Sequence, residues 1–228
     1  MGLSFNSNEE ISQKVYKDFI DKENYMEIKE KIIEYLENKY NPQTIFVYGS
    51  YADGTNDSTS DFDCLIIVED KNICHDDSLV EKVRLDCFIY DKDEIGKLDV
   101  DTFLPIYWAE IVKDKGIGKD LKEKVKNYVK ENTFTDENEK NFLISWIRKT
   151  LKRVEKRDLE GDFRAISFLA ESLEDYYLLR DMYYFGSKKA ISFLKTNDKK
   201  AYELFAKAIT NRLNKDIIQW GKYIIFDN

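Results

Sequence analysis

Asp61 and Asp63 stand one residue apart at the head of the apolar run CLIIV (64–68), and Gly49-Ser50 closes the apolar run TIFVY (44–48). The stretch between, VYGSYADGTNDSTSDFDCLIIV (47–68), therefore joins two kinds of chemistry. Side chains alternate across a strand, so Asp61 and Asp63 are expected on one face with their carboxylates close together. Two like charges held that close repel unless a cation lies between them. Mg²⁺ suits such a pair, because it takes one or two carboxylates and leaves its other positions to water and phosphate oxygens. Asp86 is a third carboxylate, in the otherwise apolar run VRLDCFIY (83–90). Burying it ionised is costly unless a metal or strong hydrogen bonds compensate it. If its strand lies beside the one starting at Asp61, the three carboxylates converge. At the other end, Gly49 lets the backbone approach an anion, and the Ser50 hydroxyl with successive N–H groups can hold phosphate oxygens. Together these are the parts of a phosphoryl or nucleotidyl transfer site, in which positioning and charge neutralisation do the catalysis. The alternative is a polar surface turn whose aspartates cap a strand.

The elements that must position these residues are legible in part. Residues 9–21 and 26–40 place apolar side chains at helical spacing, and Pro42 stops the second helix. TIFVY, CLIIV and VRLDCFIY predict three strands, with one more around Ala109 to Val112. The polar segments joining them carry no clear long helix, which predicts a small mixed or antiparallel sheet. GIGKDLKEKVKNYVKENTF (116–134) predicts a helix and a linker near residue 132. Beyond it, 136–159, 162–184, 187–195 and 197–224 all carry helical periodicity and no strand signal. Ser187 is expected to open a helix, with Gly186 in the turn before it. The fold class is thus α+β: a mixed-sheet domain with flanking helices over 1–132, then an α-helical bundle over 133–228.

GSYADGTNDSTSDFDCLIIV resembles the signature of the DNA polymerase beta-like nucleotidyltransferase superfamily: Gly-Ser, an internal Ala-x-Gly, then Ser-Asp-x-Asp leading into an apolar strand. Gly49, Ser50, Ala52, Gly54, Ser60, Asp61 and Asp63 fall on that pattern, and Asp86 matches its third carboxylate. The sheet followed by a helical bundle is similar to kanamycin and lincosamide nucleotidyltransferases. Asp53 departs from the pattern, standing where many members have arginine. The resemblance implies transfer of a nucleoside monophosphate, usually from ATP, to an acceptor hydroxyl with release of pyrophosphate. It implies Asp61, Asp63 and Asp86 as ligands of Mg²⁺, two ions in all, with Gly49, Ser50 and Ser60 on the nucleotide. Asp86 would hold the second ion or take the acceptor proton. In the resembling enzymes a helical-domain carboxylate can serve as base, a role open here to Glu171 or Glu174, whose plain reading is a solvated helix face. The run of Tyr176, Tyr177, Tyr183, Tyr184 and Phe185 reads chiefly as packing.

Charge narrows the partners. The 228 residues carry a formal net charge of −8, but residues 1–130 hold 18 Lys and Arg against 28 Asp and Glu, a balance of −10. Residues 131–228 hold 18 against 16, a balance of +2. The absence of a basic stripe argues against a nucleic-acid partner. The acidic half favours metal ions, a metal-bound nucleotide or a cationic small-molecule acceptor such as an aminoglycoside-like antibiotic. A protein or tRNA acceptor of the toxin–antitoxin kind and a noncatalytic nucleotide-binding regulator are the alternatives. No apolar stretch is long enough for a membrane helix and the first residues have no signal-peptide pattern, so a cytoplasmic protein is expected, and a homodimer is compatible with it. Cys64, Cys74 and Cys87 lack zinc spacing and read as structural. His75, the single histidine, reads as part of a polar loop. With no histidine after it, the Arg-x4-6-His ribonuclease motif of some helical partners has no counterpart.

Overall fold

The computed structural model describes residues 25–226. They form two compact units, one up to Lys126 and one from Asn127 onward. The first begins with helix α1 (25–40), in agreement with the predicted 26–40, whereas the helix expected over 9–21 lies outside the described residues. There follow β1 (Thr44–Val47), the single turn α2 (Ser50–Asp53), β2 (Phe62–Val68), the two-residue strands β3 (His75–Asp76) and β4 (Leu79–Val80), and β5 (Val83–Asp91). A 3₁₀ segment (Val100–Trp108) containing Pro105, strand β6 (Glu110–Asp114) and helix α3 (Gly118–Glu131) complete this part of the chain.

The sheet order is β3-β5-β2-β1-β6, with β4 attached to β5. It is mixed: β2 and β5 run parallel, and the other pairings are antiparallel. Parallel neighbours need a long connection, and here residues 69–82 supply it without a helix by folding into β3 and β4. Alternation then sends two sets of side chains to opposite faces. Ile45, Val47, Cys64, Ile66, Val68, Cys87 and Ile89 pack with Ile32 and Leu36 of α1. Phe46, Leu65 and Ile67 pack instead with Phe103 and Ile106 of the 3₁₀ segment and Leu121 and Val125 of α3. Both faces are covered, so these strands read as nearly continuous apolar runs. Cys64 and Cys87, opposite one another in register, are buried core residues, and burial pushes the Cys64 thiol well up.

The second unit is helical: α4 (Glu137–Val154), α5 (Leu159–Leu178), α6 (Ser187–Asn197), α7 (Lys199–Asn211) and α8 (Asn214–Phe226). Asp136, Asp158 and Asp198 cap α4, α5 and α7 by accepting from Asn138, Gly161 and Ala201 backbone N–H groups. Gly186, at φ 88°, occupies the cap of α6 without a side-chain hydrogen bond, and Ser187 is the first helical residue. The periodic run 197–224 is two helices, because Arg212 turns left-handed at φ 53° and ends α7. Trp220, Phe168, Ile147 and Leu194 are fully or almost fully buried at the centre. The Trp220 indole N–H donates to Ser172 Oγ at 2.8 Å, and Tyr176 stacks on the ring with centroids 5.8 Å apart. Tyr176 and Tyr177 are therefore core, as their plain reading has it. Among the described residues no helix is long and apolar enough to cross a membrane.

Asp76 ties α1 to β3. Its carboxylate accepts from Tyr40 Oη at 2.6 Å, Lys39 Nζ at 3.0 Å and the Ser78 N–H at 2.9 Å. Burial opposes its ionisation, but the bonds from Ser78, Tyr40 and Lys39 outweigh burial and hold it well below the usual carboxylate range. A depressed carboxyl contributes stability that is complete above its unfolded pKa of about 4 and is lost as pH falls toward the folded value. Asp76→Ala should therefore cost about 2–4 kcal/mol at pH 7, since three charge-assisted hydrogen bonds to a buried carboxylate are lost. Urea titrations should show this cost shrinking below pH 4.

Candidate functional site

The site is built at one end of the parallel pair. Asp63 in β2 stands opposite Asp86 in β5. Alternation puts both on the face that carries Leu65 and Ile67, away from Cys64 and Cys87. The sheet register thus brings two carboxylates side by side from residues 23 positions apart in the chain. Asp61 is exposed and lies just before β2, which begins at Phe62. Among the described residues, no group of three or more His, Cys, Asp and Glu side chains is placed to hold a metal ion. Asp61 follows a loop organised by Asp57. The Asp57 carboxylate accepts from the Thr59 N–H at 2.8 Å, and its own N–H donates to Ser60 Oγ at 3.0 Å. Ser60, assigned to the nucleotide by the sequence pattern, is engaged in that turn.

Gly49 sits over Asp63. Its φ of +66° is left-handed, and a Cβ added there would lie 2.0 Å from Asp63 Oδ2. Glycine is required twice, once for the backbone angle and once for room beside the carboxylate. The N–H groups of Ala52 and Asp53 close onto the Gly49 carbonyl at 3.2 Å, forming the turn α2 that carries buried Ser50. The adjoining Tyr48, just past β1, donates its hydroxyl to the Cys64 carbonyl at 3.4 Å. Burial, then the nearby Cys64 thiol and the charges of Asp86 and Asp63, push its hydroxyl far above the usual phenol range. Asp53, the departure from the sequence pattern, accepts from the Thr55 hydroxyl at 2.5 Å.

His75, read from the sequence as part of a polar loop, is brought to Asp86 by the fold. It lies in β3, opposite Phe88 of β5 in register, with ring centroids 5.0 Å apart. Its Nε2 is 2.7 Å from Asp86 Oδ1, and because an ionised carboxylate only accepts, the contact sets the proton on Nε2. No local pattern around ICHDDS signals this; the pairing of β3 with β5 creates it.

In the helical unit, Glu171 and Glu174 are exposed, in keeping with a solvated face, while Asp175 beside them is buried with Oδ2 unpartnered. Burial, aided by the charges of Glu171 and Glu174, raises its carboxyl to about 7. Its signal in the sequence was position alone, as a carboxylate on the apolar side of α5.

Asp63 and Asp86 are hard oxygen donors of the type a divalent ion takes, set opposite one another by the sheet, and the missing Cβ at Gly49 makes room for the Asp63 carboxylate. Among known proteins, residues 29–132 match the sequence model described as "Nucleotidyltransferase domain". That segment spans the sheet and every residue of the site. No curated protein matches the chain. Among solved structures, the chain is similar to a nucleotidyltransferase-like protein from Exiguobacterium sibiricum 255-15, at 12% identity and a TM-score of 0.38, over 89% of this chain and 74% of that one. So distant a similarity carries no argument about this site.

Two measurements probe these placements. Gly49→Ala should cost about 2–4 kcal/mol in denaturant unfolding, from a strained backbone plus overpacking, and a crystal structure of the variant should show the Asp63 carboxylate displaced. For Asp175, a raised carboxyl contributes stability that is complete below its unfolded pKa and declines as pH rises through the folded value near 7. Between pH 4 and 7 this group should lower stability by about 1.4 kcal/mol per pH unit, and Asp175→Asn should flatten that slope.

Proposed function

We propose that this protein, whose residues 29–132 match a nucleotidyltransferase-domain model, moves AMP from ATP onto a hydroxyl of a small-molecule acceptor and releases pyrophosphate. The observation that carries this reading is the register of β2 and β5, which sets Asp63 opposite Asp86, with the Asp63 carboxylate packed against the bare backbone of Gly49. Two carboxylates kept adjacent serve a cation, and a nucleoside triphosphate supplies the anion that a cation would carry.

Asp63 and Asp86, with Asp61 at the mouth of β2, would hold Mg²⁺, in two ions where both are bound. Mg²⁺ would neutralise the triphosphate and polarise the phosphoryl group under attack. The chain itself does the rest. Gly49 gives the phosphates close access to the backbone, and the Ser50 hydroxyl donates to a phosphate oxygen. The acceptor oxygen forms its bond to the α-phosphorus as the bond from that phosphorus to the α–β bridging oxygen breaks, the electron pair leaving with pyrophosphate. The acceptor proton passes to a carboxylate. Asp86 is the one this unit provides, with Oδ1 held by His75 and Oδ2 left to accept. Glu171, Glu174 and Asp175 are the helical-unit carboxylates to test as alternatives.

The acidic balance of the first 130 residues suits a cationic acceptor, which makes aminoglycoside-like antibiotics the first class to try. A cytoplasmic setting follows from an ATP co-substrate. Incubation with labelled ATP, Mg²⁺ and a panel of aminoglycosides, lincosamides, proteins and tRNA should give Mg²⁺-dependent pyrophosphate release with a cationic small molecule. Asp63→Asn and Asp86→Asn should each reduce it by about 100-fold or more, and should abolish the rise in melting temperature produced by Mg²⁺ and ATP. Release that survives either substitution or chelation of the metal would sink the site assignment. Label on protein or tRNA would move the acceptor class, and nucleotide binding without turnover would support the noncatalytic regulator.

A further inference from the structure

The end of the helical unit where α4 meets α5 and α7 meets α8 carries a surface that the nucleotidyl transfer chemistry does not use. A hollow of about 560 Å³ is lined there by Arg157, Asp162, Ile166, Arg212, Leu213, Asn214 and Lys215. Its floor continues into an apolar stripe on α5. Leu159, Phe163 and Ile166 follow one another at spacings of four and three, so they share one helix face, and they are 88%, 69% and 63% exposed. Leu213, 48% exposed, meets Ile166 in the hollow. Exposed apolar side chains scattered singly need no explanation, but four in one patch rimmed by charge mark an interaction surface.

The rim is mainly cationic, three basic side chains against the one carboxylate of Asp162, which accepts from Asn214 Nδ2 at 2.6 Å. Nearby, Asp158 and Glu160 pair with Arg153 at 2.7 and 2.6 Å, and Glu160 also pairs with Arg164 at 3.0 Å. Buried Asp216 pairs with Lys207 at 3.1 Å, leaving Lys215 to act on it only at a distance. Arg157, Arg212 and Lys215 thus reach the hollow with no ion pair among the described residues. Arg157 and Arg212 both stand at left-handed turns, with φ of 54° and 53°, so the turns after α4 and α7 each present an arginine at the hollow.

We propose that this surface docks an acidic amphipathic helix of a partner protein. Its apolar face lies along Leu159, Phe163, Ile166 and Leu213, and its carboxylates meet Arg157, Arg212 and Lys215. Charge complementarity selects this occupant: a cationic rim on a chain of net charge −8 repels basic segments locally and fixes the register of an acidic one, while the apolar stripe supplies burial. Arginine suits the role because its planar fork takes a carboxylate in two hydrogen bonds.

The test uses the full chain and fluorescence polarisation of labelled 20-residue helical peptides. One carries Leu at i, i+3, i+4 and i+7 with Glu elsewhere, one has Lys in place of Glu, and polyglutamate serves as the control without apolar residues. The Glu/Leu peptide should bind saturably with one site per chain, at least tenfold tighter than either of the others, and more weakly as salt rises. The charge reversals Arg157→Glu, Arg212→Glu and Lys215→Glu together should weaken it at least tenfold. Leu159→Ser with Phe163→Ser, at exposed positions that leave the core intact, should do the same. Equal binding of the Lys peptide, absence of saturable binding, or indifference to both sets of substitutions overturns the proposal. So does recruitment to anionic vesicles in place of the peptide, or a concentration-dependent dimer abolished by the same substitutions, which would identify the occupant as lipid or a second copy.

Discussion

Everything at the candidate site depends on one hydrogen-bond register, that of parallel strands β2 and β5. Because Cys64 pairs with Cys87 and Ile66 with Ile89 in the core, Asp63 must stand opposite Asp86 at the end of the same ladder. A slip of one residue would turn every buried side chain toward the wrong face. The apolar layers on both sides of the sheet therefore fix a pair of like charges that electrostatics alone would separate. The fold spends part of its packing energy on keeping that pair adjacent.

Around this pair the neighbouring elements each contribute one constraint. β1 ends at Val47, the Tyr48 N–H donates to the Asp63 carbonyl at 3.1 Å, and Gly49 turns the chain where no other residue has room. On the far side of β5, the short strand β3 brings His75 to Asp86, and Asp76 in the same strand is bound to Tyr40 and Lys39 of α1. The link from α1 through Asp76 to His75 gives a buried structural tie a direct bearing on the geometry of the acidic pair.

The helical unit is organised on a different principle. Its centre is aromatic, with Trp220 held by a hydrogen bond to Ser172 and by stacking on Tyr176. Against that apolar background two features stand out as unspent: the unpartnered carboxyl oxygen of Asp175 and the cationic rim around Ile166 and Leu213. Asp175 stands where the apolar core would favour an apolar side chain, and the cationic rim stands at the exposed end of the bundle.

The sequence by itself determined the principal strands, the helices of the second half and the mixed sheet, because period and turn residues are local properties. It could not show that 197–224 is broken at Arg212, since the apolar period runs on across a single left-handed residue. The tertiary structure alone decided that Asp63 faces Asp86, that His75 reaches the same carboxylate, and that Asp175 rather than Glu171 or Glu174 is the buried acid of α5. These are pairings of residues distant in sequence or differences in burial, and both arise only when the strands choose their register and the helices choose the faces they hide.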